Sequence, residues 1–564
     1  MQSSSYTIRG TVGAGILHKA DRLFRNDDLG IFVELLQNSR RAGATLVEVG
    51  IEPRTSGGCI VTVQDNGTGI ASFEQLLMLG ESGWNADTRD REDPAGMGFY
   101  CLCLSGVEVY SGDQYANITP DAFLGKAEAI VERRSEYVEG TRLRFARAAF
   151  KDTLGAAVRK AAEFYPLEVQ LNGESLPRYD FLEGAIHREF IDGIEVGFST
   201  GFLRDWNYYS DDKNWNFYGA RIHRSFPSFE GILAEAGQRG SLPLHARFDV
   251  LQTGHIKLQL PDRRNVIEDE FLAEFERKAK AAAYRCFQKQ PRHALPFNYW
   301  KEAKELGVPL PEAAPLLTSW LALANDSDAH QMFGEDFTSI VPDLKRVMLV
   351  DNALANPHTL QGALHSGAKL EHELFREHFA FQGYSWYDAL PTLTDAEVKI
   401  DGIPSETYLS TNQDARPSKI DVVSTIQESG HEDRLLSLPA LIHVDSEELN
   451  NPLFIAVKNS PWDNDQLAGP FAIDEFLIYA TFSFNDEGDT WQTQMDYYET
   501  DIKRSVNEYF RGPRAGLVAL LQGALGWDAS NLASRLNVSQ IVLKRDPLNK
   551  RWDVELAGAD GRLL

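Results

Sequence analysis

Between residues 31 and 70 the chain runs through a helix pattern, two strand patterns and a glycine-rich turn in immediate succession, and this order limits the architectures open to it. Ile31, Phe32, Leu35, Leu36, Ser39 and Ala42 recur at helical spacing, and Gly43 supplies a natural stop. An earlier helix, over 16–29, ends near Asp28-Leu29-Gly30. Residues 46–51 alternate as a strand, Gly57-Gly58 turns the chain, and residues 59–63 form the next strand. Residues 71–79 read as helical. Residues 80–95 are polar and rich in Gly, Asp and Arg, a stretch too long for a plain connector, and residues 97–105 return to apolar character. Strands are predicted over 106–111, 127–134 and 140–145, then a helix over 152–164 and a strand over 167–171 closed by the turn Asn172-Gly173. Helices and strands in this order make an α+β fold the expectation.

After about residue 176 the pattern changes. Residues 180–262 read as several strands with aromatic-rich loops, the last strand, 255–260, ending in Pro261-Asp262-Arg263-Arg264-Asn265. A long helix follows over 267–288, and Pro291 to Pro296 marks a boundary. Three domains are predicted, 1–175, 176–295 and 296–564, the third mixed α/β and divisible into two subdomains. Within it helices are expected near 300–306, 312–324, 368–380, 493–511 and 514–523, and strands near 346–350, 439–444, 453–457 and 540–555. It carries no repeat and no recognisable catalytic motif.

Charge narrows the functions. The chain has 82 acidic residues against 56 Lys and Arg, a net charge of −26, which opposes non-specific binding to phosphate backbones. Residues 301–564 hold 41 acids and only 21 Lys or Arg, so this half is the poorest candidate for a nucleic-acid grip. Cys59, Cys101, Cys103 and Cys286 are too few for a disulfide framework, and Cys101-x-Cys103 lacks zinc-site spacing; small buried hydrophobes are the simpler reading. The start MQSSSYTIRG shows neither a basic nor an apolar signal region, and no stretch reaches about 18 uninterrupted apolar residues. A cytoplasmic protein without a membrane segment is expected.

Four segments carry chemistry. On the helix, Glu34 and Asn38 are four apart and share a face, which Arg41 joins. Asp65-Asn66-Gly67-Thr68-Gly69-Ile70 follows a strand, Gly96-Met97-Gly98-Phe99-Tyr100 closes the polar stretch, and Gly140-Thr141-Arg142-Leu143-Arg144-Phe145 opens another strand. Taken singly, each is commonplace: a solvated helix face, a turn, a Gly-x-Gly, a strand start. Their order within about 110 residues points to a nucleotide site.

Together they resemble the Bergerat-fold, or GHKL, ATPases, the superfamily of the gyrase B subunit, the ninety-kilodalton heat-shock chaperone, sensor histidine kinases and MutL. ELLQNSRRAGA resembles the N box, QDNGTGI, DPAGMGFY and GTRLRF the three glycine boxes, over roughly residues 15–175. The wording sits nearer the MutL and chaperone branches. The resemblance implies a Bergerat α/β sandwich that binds ATP with Mg²⁺ and hydrolyses it slowly. It implies Glu34 as the general base on water and Asn38 as the Mg²⁺ ligand. Asp65 would accept from the adenine amino group, backed by Thr141; Gly67 and Gly69 would let the backbone pass the base; Gly96, Met97, Gly98 and Phe99 would lie along the phosphates; residues 80–95 would form the lid. Arg41 stands where related N boxes often carry Asp; it could pair with a phosphate, pair with Glu34, or cap the helix C-terminus. The second domain resembles a transducer or middle domain, which sends a basic residue to the γ-phosphate, with Lys257, Arg263 and Arg264 as candidates and Lys257 and Arg264 preferred.

The leading expectation is an ATP-driven switch: a homodimer gated by nucleotide and coupled to a protein partner or client. A nucleotide-binding adaptor without turnover and a DNA-transaction ATPase are the alternatives. Phosphotransfer is disfavoured, because only the lone His18 lies close upstream and no dimerisation helix precedes the site.

Overall fold

The computed structural model describes residues 27–79, 84, 98–201, 213–233, 240–252, 256–259, 265–322, 339–411, 416–445, 453–464, 473–482, 490–525, 534–535, 538–545, 552–558 and 562. It divides into two compact units, Met1–Ala234 with Ser241–Ala313, and Glu235–Gly240 with Ala314–Leu564.

The first unit opens with helix α1 (Asp28–Arg41), strands β1 (Leu46–Pro53), β2 (Cys59–Asp65), β3 (Val107–Ile118) and β4 (Val131–Arg147), helix α2 (Lys151–Ala162) and strands β5 (Glu168–Leu171) and β6 (Glu174–Ser175). Helix α1 starts earlier than its apolar pattern suggests. The Asp27 side chain accepts from Gly30 N at 2.7 Å, so Asp28-Leu29-Gly30 begin this helix. Residues 16–26 lie outside the described residues. The strands form one sheet in the order β3-β4-β2-β1-β5-β6. Along β2 every second residue is buried, the mark of a sheet covered on one face. That face packs Val47, Val49, Val61 and Val63 under Ile31, Phe32, Leu35 and Leu36 of α1 and Leu154 and Val158 of α2. The predicted strands at 127–134 and 140–145 are one long β4, and the Asn172-Gly173 turn has both φ angles positive, at 52° and 86°.

A second sheet in the same unit comprises β7 (His187–Ile191), β8 (Ile194–Ser199), β9 (Trp215–Phe217), β10 (Ala220–Ile222), β11 (Phe229–Leu233) and β12 (Ser241–Val250), ordered β10-β9-β12-β8-β7 with β11 also on β12. Helix α3 (Glu270–Gln288), capped by Asp269 on Leu272 N at 2.9 Å, seals it. Trp215 stacks on Phe248 at 4.5 Å, and Phe275 of α3 closes over both. Of the strand expected at 255–260, residues 256–259 are described, and among them Leu258 bridges to Val266. Pro291 to Pro296 falls inside this unit, because α4 (Phe297–Glu305) places Ala303 in the same core, joined by Val308 and Leu310.

The second unit is mixed α/β. Strands β13 (Leu317–Thr318) and β14 (Ser339–Ile340) form a pair of their own. The main sheet contains β15 (Val347–Val350), β16 (Glu373–Arg376), β17 (Thr392–Ile400), β18 (Ile403–Pro404), β19 (Ile420–Gln427) and β20 (Arg434–Ala440). β15 pairs in parallel with β16 and β17, and β17, β19 and β20 run antiparallel. Helix α5 (Pro357–His365) contributes Leu360 and Ala363 to its core. A further cluster joins β21 (Ile442–Asp445) and β22 (Leu453–Ala456) to α6 (Ile473–Thr481) and α7 (Trp491–Arg511). α8 (Pro513–Ala524) and the hairpin β23 (Val538–Arg545) and β24 (Trp552–Gly558) follow. Residues 312–322 and 368–378, the described part of one expected helix and most of the other, are non-helical and hold β13 and β16. No helix among the described residues is long and apolar enough to cross a membrane.

Candidate functional site

β2 ends at Asp65, opposite Thr141 of β4 on one side and Val47 of β1 on the other. A residue in that position is inside the sheet, and Asp65 is 8% exposed. Its carboxylate is not left bare. Ser39 Oγ donates to Oδ2 at 3.1 Å, Gly67 N donates to Oδ1 at 2.9 Å, and the Thr141 backbone donates as well. Burial pushes the pKa of Asp65 above its usual value, and these donors hold it back. A carboxylate offers about four lone-pair positions, so three donors leave room for one external N–H.

The loop beyond Asp65 is tied to the end of α1. Asn66 Oδ1 accepts from Thr45 N at 2.8 Å and Leu46 N at 3.1 Å, and Thr68 N donates to Ala42 O at 2.9 Å. Farther along, Ile70 N donates to Ser111 Oγ at 2.9 Å, and that hydroxyl donates to Gly140 O at 2.8 Å. Gly140 has φ +67°, and a Cβ there would overlap Asp65 O and stand 2.9 Å from Gly67 N. Only glycine lets β4 pass this close to the backbone of Asp65.

One turn away, α1 presents Glu34, Asn38 and Arg41, all partly buried. A short 3₁₀ turn, Gly98–Leu102, begins against this face. A Cβ on Gly98 would run into Glu34 Oε2 and lie 3.7 Å from Asn38 Nδ2. Asn38 Oδ1 accepts from Arg41 Nη1 at 3.2 Å. Burial raises the pKa of the Cys101 thiol, and the negative charge of Glu34 adds to the rise. All four cysteines are buried.

The helix thus links two clusters. Ser39, Gly67 and Thr141 surround the buried carboxylate of Asp65, and Gly69 sits against Ser111 and Gly140, while Glu34, Asn38, Arg41 and Gly98 form the second cluster. Phe99 is partly buried and packs against the core, its ring 5.5 Å from Phe123. Lys257 is exposed on the 256–259 segment of the second sheet's region. Gly96, Met97, Arg263, Arg264 and all of 80–95 except Trp84 lie outside the described residues.

Sequence reading missed Ser39, Ser111 and Gln37. Ser39 stood inside the helix segment, its hydroxyl counted only as part of the apolar stripe. Ser111 carries no local signal, since its partners Ile70 and Gly140 are 41 and 29 residues away. Gln37, 3% exposed, donates through Nε2 to Phe217 O at 3.0 Å and Tyr218 O at 2.6 Å, and the Arg40 guanidinium lies 3.7 Å from the Tyr218 ring centroid. These contacts fasten the side of α1 next to that polar stripe to the β9–β10 turn.

A metal here would have few protein ligands. No group of three or more His, Cys, Asp or Glu suited to a metal occurs among the described residues. The Asn38 amide oxygen is a hard donor on a partly open face, which suits a cation that keeps most of its water.

No protein-family model matches the chain, and no curated protein matches it. Among solved structures, the chain is similar to the ATPase region of Saccharomyces cerevisiae topoisomerase II bound to ICRF-187 (dexrazoxane), at 13% identity, over 46% of this chain and 85% of that one, with a TM-score of 0.30. A second structure of the same ATPase region gives 14% identity, 46% and 84% coverage and a TM-score of 0.30. The N-terminal domain of a DNA repair protein gives 14% identity, 49% and 99% coverage and a TM-score of 0.30.

Proposed function

We propose that the first sheet and its two helices bind ATP in the manner of a Bergerat-type domain, and that the chain hydrolyses it. The observation that carries this reading is Asp65, a buried carboxylate with three internal donors and acceptor capacity left over, walled by glycine backbone. An adenine amino group supplies the missing N–H. Guanine would present a carbonyl oxygen there, and two acceptors facing each other in a desolvated site repel.

Glu34 is the base that orients and deprotonates the attacking water. It sits four residues before Asn38 on the same helix face, and the missing side chain of Gly98 leaves room for its carboxylate. Asn38 would hold Mg²⁺ through its amide oxygen, and that ion would neutralise charge on the phosphates. The motif resemblance extends the proposal to nucleotide-gated pairing of two copies, with residues 314–564 engaging a protein partner. The acid excess of the C-terminal half supports a protein over a nucleic acid as that partner.

The deciding experiment compares wild type with Glu34→Ala in phosphate release and in binding of a fluorescent ATP analogue. Turnover is expected to fall by about 10²–10⁴, the range for a positioned general base, with affinity retained. Equal turnover in the two proteins removes Glu34 from the chemistry, and no binding by wild type removes the nucleotide site. An unchanged mass in solution with a non-hydrolysable analogue would remove the dimer.

A further inference from the structure

Among the described residues, a cation of the protein itself already contacts the expected metal ligand. Arg41 Nη1 donates to Asn38 Oδ1 at 3.2 Å, and Arg41 occupies the last turn of α1, on the face shared by Asn38 and Glu34. Mg²⁺ and a guanidinium cannot both approach one amide oxygen closely without strong mutual repulsion, because both are positive and the face is partly shielded from water. The hydrogen bond is long and partly solvent-exposed, so it is exchangeable. A triphosphate beside this helix face gives the displaced guanidinium a better partner, since Arg binds phosphate oxygens through paired N–H donors.

We propose that Arg41 and the divalent cation compete for Asn38, and that Arg41 is a phosphate-binding residue that holds nucleotide in the site even when the metal is removed. The inference rests on the nucleotide-site reading above. Without metal, Arg41 supplies the positive charge that the phosphates require. With metal, Asn38 would be released to the ion, which would supply that charge, and the contribution of Arg41 to holding nucleotide is smaller. The residue found where an Asp is common in related N boxes thereby changes the metal dependence of binding.

The test measures the affinity of the purified full chain for a fluorescent ATP analogue in excess Mg²⁺ and again in excess EDTA, for wild type, Arg41→Gln and Arg41→Lys. The quantity read is the ratio of the two dissociation constants. Arg41→Gln should widen the wild-type ratio by about tenfold or more, the effect of losing one charge-assisted hydrogen bond. Arg41→Lys, which keeps the charge, should fall between. A ratio unchanged in Arg41→Gln overturns the role of Arg41 while leaving the nucleotide site standing. Binding absent from all three proteins in both conditions overturns the site and the inference with it.

Discussion

The glycines of the first sheet and those of the second unit's main sheet do different work. Gly140 lies between Asp65 and the loop after it, and a Cβ there would overlap backbone. Gly402, in the turn between β17 and β18, has a similar φ of +81°, yet a Cβ there would meet nothing within 4 Å. Both positions call for a left-handed conformation, but only one also calls for empty space. A turn glycine answers to its own backbone, whereas Gly140 answers to the distant residue it passes. Where a glycine is needed for close approach beside a buried carboxylate, the chain has shaped a place for chemistry; where it serves φ alone, it has only reversed direction.

That contrast can be broken by substitution. Gly140→Ala should have the largest effect, about 3–5 kcal/mol of stability, from overpacking against fixed backbone added to left-handed strain. Denaturant unfolding measures it, and a loss no greater than that of a turn glycine would erase the distinction. Asp65→Asn should come next, weakening binding of the ATP analogue by about 1.5–3 kcal/mol. Wild-type stability should also rise as pH falls from neutral, a rise that Asp65→Asn lacks. The sign follows from the raised pKa: ionised Asp65 costs the folded state free energy above its folded pKa, and stability returns as pH falls toward the ordinary Asp value. A lowered Tm with intact binding would show that the carboxylate is structural. Gly402→Ala should be smallest, about 1–2 kcal/mol from left-handed strain alone, with nucleotide affinity unchanged.

Much of the first sheet was legible because its signals are local. Alternation over 46–51 and 59–63, the helical stripe from Ile31 to Ala42 and the Asn172-Gly173 turn each depend on neighbours a few residues away, and the corresponding elements are present. The second unit was harder. Residues 312–324 and 368–380 look helical by composition, but Leu317 and Thr318 pair with Ile340 and Ser339, and Ser319 bridges to Phe375. Short apolar runs do not distinguish strand from helix until a distant partner is known. The site divides in the same way. Glu34, Asn38 and Asp65 stand in recognisable segments, whereas the hydroxyls that orient their surroundings come from pairings across the sheet, and the partner of Arg41 depends on a rotamer.

Helix α1 faces two masters. Its polar stripe bears Glu34 and Asn38, and beside that stripe the Gln37 amide pins it to two carbonyls of the β9–β10 turn. Rolling the helix about its axis would strand that amide in an apolar seam, at about 1–3 kcal/mol for an unmet buried donor. The helix therefore behaves as an axle seated in the second sheet. Any torque applied at the phosphate end must either turn that sheet's hairpin with it or be spent on bending side chains alone.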